Sequence, residues 1–241
     1  MITSPNPYAA LPEETQRWLI EIHGRARGVF EKAIEDHGRR PGLAGAIARA
    51  RIAFLDKELA PVIDAVAQAR TPVDCGRGCA SCCTLKVEVT ADEVFAVAAE
   101  IEATLDAEAL AMLKSRAAEV DRRGRDLPPG ERYLLHLYCP VIEPSSLACR
   151  AHAVRPAACQ GYLSLDRRRC DASAAGEKVE IPSPIASGLI RDAVMSAQII
   201  VLREAGLDQT RGELSAGLVA AWADPKAEQR WLAGESVFPA A

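Results

Sequence analysis

Cys75-Gly76-Arg77-Gly78-Cys79-Ala80-Ser81-Cys82-Cys83 places four thiols within nine residues of a 241-residue chain. Four more cysteines, Cys139, Cys149, Cys159 and Cys170, follow at near-even intervals. Zinc and iron–sulfur clusters are both held by thiolates, so sulfur donors that converge only on folding suit either. Cysteines two or three residues apart bend a loop around one centre, and Gly76 and Gly78 supply the backbone freedom such a loop needs. The adjacent pair is the odd element. Neighbouring side chains on extended backbone point to opposite sides, so Cys82 and Cys83 share one mononuclear site only across a local turn. Otherwise one of them packs or serves a second metal. All eight cysteines are candidate metal ligands.

Composition bounds what surrounds them. A hydrophobic fraction of 49% is enough to build a core. Met1 to Pro7 lacks the basic region and apolar run of a secretory signal. No stretch approaches about 18 uninterrupted apolar residues, so no membrane partner is expected. The chain reads as cytoplasmic, and in a reducing compartment clustered cysteines point to metal rather than to disulfides. The net charge of −4, from 29 basic and 33 acidic residues, argues against a nucleic-acid partner. Arg77, Arg150, Arg155 and Arg167 to Arg169 lie among the cysteines. They form a solvated basic face, or they offset the charge of several thiolates.

Outside the cysteines the pattern is helical. Leu19, Ile22, Ala26, Val29 and Ala33 fall on one helix face, started at Pro12-Glu13-Glu14 and ended at Gly38. A second helix runs from Leu43 to about Ala69, with Pro61 expected to kink or break it. Lys86 to Val89 reads as a short strand or an extended link. Thr90-Ala91-Asp92-Glu93 is a capping box opening a helix with Val94, Ala98, Ile101 and Leu105. Asp106 caps another, with Leu110, Leu113, Ala117 and Val120. Pro128-Pro129-Gly130 marks a loop, and 134–170 reads as loops and turns. Ile190, Val194, Ala197 and Val201 define a later helix, followed by short ones near Leu218 to Trp222 and Trp231. The expected fold is mainly α, helices around an irregular, metal-stapled cysteine-rich core. Its parts are an N-terminal helical region (1–70), a metal-binding core (71–170) and a C-terminal helical region (171–241), in one compact unit.

Cys75-x3-Cys79-x2-Cys82-Cys83, followed by Val87-Glu88-Val89-Thr90-Ala91-Asp92-Glu93, resembles the opening of the YkgJ-type cysteine cluster family, a zinc- or iron-chelating domain. Cys139-Pro140, Cys149-Arg150-Ala151-His152 and Arg155-Pro156-Ala157-Ala158-Cys159 are similar to that family's second half. The resemblance spans about residues 72 to 170. It implies metal ligation by Cys75, Cys79, Cys82, Cys83, Cys139, Cys149 and Cys159. Cys170 lies beyond the shared core, and Gln160 stands where the family often has Arg. The resemblance implies no reaction, although a related branch includes flagellin lysine N-methylases.

Other residues add less. His23 and His37 read as surface or packing residues on the first helix. His136 and His152 lie in the cysteine-rich part, and His152 either completes a zinc site or packs in its loop. Tyr133, Tyr138 and Tyr162 read as core filler. There is no Gly-rich phosphate loop, zinc-protease histidine pair or serine elbow, so no reaction is assigned. Three functions stay open. One is a zinc- or iron-binding protein whose fold collapses on chelation. Another is an iron–sulfur enzyme or redox protein. The third is a metal-stiffened interaction module using Trp18, Trp222 and Trp231.

Overall fold

The computed structural model describes residues 8–238; the reading of Met1 to Pro7 lies outside them. Ten helices dominate the described residues, with two short strands. Helix α1 (Glu13–His37) buries Leu19, Ile22, Ala26 and Phe30, with Val29 and Ala33 flanking that stripe. Each large apolar side chain so buried contributes roughly 1.5–3 kcal/mol. Helix α2 (Leu43–Gln68) runs unbroken through Pro61. Its buried residues end at Leu59, so the proline sits on an exposed stretch where water can take the carbonyl it leaves without a partner.

Strand β1 (Glu88–Thr90) leads into α3 (Ala91–Thr104), whose capping box forms as the sequence predicts. The predicted stripe understates α3, because every residue from Ala91 to Ala98 is buried. Asp106 caps α4 (Ala107–Gly124), accepting from the Ala109 amide at 2.8 Å. Pro128-Pro129-Gly130, read as loop, opens the short helix α5 (Pro129–Leu134). Proline suits a first helical turn, where its missing N–H has no partner to lose. Two further short helices, α6 (Ala157–Gln160) and α7 (Arg167–Ala174), interrupt the irregular segment.

Helix α8 (Ile185–Glu204) packs on α1 and α2 and buries Ile190, Ala193, Val194, Ala197 and Val201. By length and composition it could cross a membrane, and 44% of its most apolar window is inside the protein. A run of uninterrupted apolar residues was too strict a criterion to flag it. Strand β2 (Arg211–Glu213) then pairs antiparallel with β1, Val89 opposite Gly212. Helix α9 (Leu214–Ala223) packs against α3 and α4, and α10 (Ala227–Leu232) packs against α9 and meets α3 through Trp231 and Phe95.

The aromatic expectations need correcting. Trp231 has no exposed surface; its ring centroid lies 5.7 Å from that of Phe95, and its indole N–H donates to the Asp208 carbonyl at 3.0 Å. It anchors the core and offers no docking surface. Trp18 and Trp222 are half-buried against the same core. Tyr138 and Tyr162, read as filler, are exposed, and Tyr133 donates its hydroxyl to the Cys170 carbonyl at 3.3 Å.

Candidate metal centre

Four backbone segments carry the cysteines. In the first, Cys79 N–H closes a tight turn on the Gly76 carbonyl at 3.0 Å, and Gly78 takes the left-handed φ of 84° that favours glycine. Ser81–Thr84 then form a single 3-10 turn. The second segment is a narrow loop in which Ile142 bridges Cys149 antiparallel and Arg150 N–H donates to the Val141 carbonyl at 3.0 Å. Arg116 of α4 donates to the carbonyls of Pro140 and Ile142, and Arg150 pairs with Glu143. Cys139 N–H donates to the Cys83 carbonyl at 2.7 Å, which joins the two segments.

The third segment holds Cys159 on α6. Arg155-Pro156 stiffens the entry to that turn. A buried network fixes it from below: Glu93 accepts from the Ala157 amide at 2.8 Å and pairs with Arg51 at 2.9 Å. Arg51 in turn donates to the Arg155 carbonyl at 2.8 Å. Arg51 is wholly buried and Glu93 is 2% exposed. Gly161 follows because α8 passes too close for a side chain: a Cβ there would lie 2.6 Å from Arg191 Cβ. In the fourth segment Asp166 caps α7, accepting from the amides of Arg168 and Arg169. That helix carries Cys170.

All eight thiols are free, and all but the buried Cys170 have exposed or half-exposed surface. Electrostatic influence links Cys75 and Cys79 with Cys82 and Cys170, Cys83 with Cys139 and Cys159, and Cys82 with both Cys83 and Cys159. Burial raises the thiols of Cys75, Cys79 and Cys149, raises Cys139 to about 12, and raises Cys159 well above its ordinary value. Cys159 has an open surface, yet enough protein surrounds it to disfavour its thiolate. Cys82 is held down at about 7 because Cys83 hydrogen-bonds to it, and Cys83 is raised correspondingly.

Among the described residues, no group of three or more His, Cys, Asp or Glu side chains is closed enough to hold a metal ion. The described residues therefore show the mainly helical fold but not the expected metal-stapled core. Other partners take up the thiols: Cys75 Sγ accepts from the Ser164 amide at 3.2 Å, and Cys82 and Cys83 bond to each other. In kind and number the donors fit a soft metal, and rotation about χ1 between staggered wells redirects a cysteine sulfur at little cost.

Some arginines near the cysteines serve the loops and some face thiols. The charge of Arg167 acts on Cys79, that of Arg155 on Cys149, and those of Arg132 and Arg116 on Cys139. Arg168 is fully out in solvent, its side chain 95% exposed. Arg155 Nη1 donates to the His152 ring, 2.6 Å from Nε2, and His152 is exposed. That position favours a loop role over ligation. His136 is exposed with a φ of 48°, and His37 bonds the Pro41 carbonyl at 3.1 Å. Gln160 turns inward and donates to Asp56 and to the Ile52 carbonyl of α2. The sequence reading missed Arg51, Arg116 and Arg132. Of the two cations between Ile47-Ala48 and Phe54-Leu55, Arg49 and Arg51, the second falls four residues after Ile47 and so on its apolar face, which was the available signal for Arg51.

Residues 74–176 match the family described as "CxxCxxCC: Putative zinc- or iron-chelating domain". That stretch is similar to the CxxCxxCC domain. The domain includes Cys170, which the resemblance read from the sequence had left outside. Its name has two residues in the first cysteine interval where this chain has three, Gly76-Arg77-Gly78. No curated protein and no solved structure matches the chain. The CxxCxxCC domain supports metal binding in general, zinc or iron.

Proposed function

We propose that the protein binds zinc or iron through Cys75, Cys79, Cys82, Cys83, Cys139, Cys149, Cys159 and Cys170, in a reducing, cytoplasmic setting. What carries the reading is the gathering of eight free thiols from four separate segments, with arginines beside them. Unpaired, so many neighbouring cysteines are a hazard of oxidation; bound to a metal, they are a stable set. The use of α8 as a core helix supports a soluble chain. The domains are proposed as one unit, because the core runs through α1, α2, α3 and α8 without a break.

The iron–sulfur reading keeps its place on one observation: eight thiols exceed the four that one zinc ion takes, and suffice for a cluster as well. Elemental analysis and an absorption spectrum on protein purified without oxygen decide. Zinc in colourless protein supports the first form, and iron with broad visible absorbance supports the second. Protein that retains neither metal, and takes up neither when supplied, refutes both.

A further inference from the structure

The adjacent pair Cys82-Cys83 sits in a 3-10 turn, where about three residues complete a turn and neighbouring side chains leave in different directions. On one side of that turn stands α7. Ser81 Oγ donates to Asp171 Oδ1 at 2.5 Å, and the Arg167 amide donates to Asp74 Oδ2 at 2.9 Å. Ser164, just before α7, binds both Asp74 N–H and the Cys75 thiol. These bonds tie Cys170 to Cys75, Cys79 and Cys82. On the other side, the Cys83 carbonyl takes the Cys139 amide, the 142–149 bridge sets Cys149 near Cys139, and Glu93 holds the α6 turn of Cys159.

We infer that the thiols form two separate four-cysteine metal centres, Cys75, Cys79, Cys82 and Cys170 in one and Cys83, Cys139, Cys149 and Cys159 in the other. The inference rests on the metal-binding function proposed above and gives it a stoichiometry. Cys82 also acts on Cys83 and Cys159 across the division, so the two sets adjoin at that residue. Arg167 faces the first set through Cys79, while Arg116, Arg132 and Arg155 face the second through Cys139 and Cys149. Four thiolates make a closed tetrahedral zinc site, so each centre is complete without a histidine. Cys82 and Cys83 meet at the boundary.

The test is a titration of the full chain, stripped by chelator and reduced, with zinc ion alone, counting bound metal by elemental analysis. The wild type takes up two zinc ions per chain. Cys75→Ser with Cys170→Ser retains one, and so does Cys139→Ser with Cys149→Ser. If either pair of changes removes both ions, or the wild type takes only one, the division is wrong. A wild type that binds neither zinc nor iron sinks the metal reading itself, a distinct result. Should a variant fail to fold, thiol alkylation of the wild type under graded chelator gives the same answer. Protection is lost in two groups of four cysteines, with Cys82 and Cys83 in different groups; simultaneous loss at all eight overturns the proposal.

Discussion

Arg51 and Glu93 illustrate how a buried charge serves a distant loop. Taking either ion out of water is costly, and their mutual attraction offsets that cost only while the geometry holds. Each also completes backbone bonds of the 155–157 segment. Arg51→Met leaves Glu93 charged and buried, and a loss of about 3–5 kcal/mol is expected in urea unfolding. Asp92, beside Glu93, accepts from Gln198 at 2.7 Å and is pushed to about 6, first by burial and then by the charge of Glu93. The folded state therefore favours its protonated form. That contribution is complete below the ordinary value of 3.8 and declines until about pH 6, above which it is constant. The difference in unfolding free energy between wild type and Asp92→Asn should change by up to about 3 kcal/mol over that window. A difference that stays flat from pH 4 to 7 refutes the raised value.

At the scale of elements, close approach decides more than propensity. Gly161 lets the cysteine-bearing α6 lie against α8, and the atom it would strike is the root of Arg191, which cannot swing away. Gly161→Ala should cost about 1–3 kcal/mol through forced backbone movement. Gly28, on the exposed face of α1 with no atom within 4 Å of a Cβ, is the control. Gly28→Ala should gain about 0.5–1 kcal/mol, as alanine usually does within a helix. Thermal unfolding of the two variants separates steric clash from helix preference, and equal shifts in one direction would falsify the packing account.

For the whole molecule, the cysteines and the core are largely different residues. The core is drawn mainly from α1, α2, α3, α8, α9 and α10, joined by Val141, Ala151, Val154 and Ala157 from between the cysteines, whereas the thiols sit on loops, turns and the short helices α6 and α7. Chelation is therefore expected to loosen residues 139–170 while the long helices persist, rather than to collapse the fold. Hydrogen exchange on chelated protein checks this: fast exchange in that segment with slow exchange in α2 and α8 is the expected result, and uniformly fast exchange contradicts it. The C-terminal segment belongs to the core. Removing residues 207–241 takes away β2 and Trp231 and should unfold the chain.

Local rules made much of this readable in advance. Apolar spacing located the long helices, because one buried face leaves a period of 3.6. Thr90 to Glu93 and Asp106 announced their caps, because capping bonds span only three residues. The cysteine spacing pointed to metal, because few other roles bring so many thiols so close together in sequence. Tertiary structure decided the rest. The pairing of β1 with a strand more than 120 residues later, the bond from the Ser164 amide to Cys75, and the Arg51–Glu93 bond all join distant positions. No periodicity records such partners, since each half is satisfied only once the chain has folded.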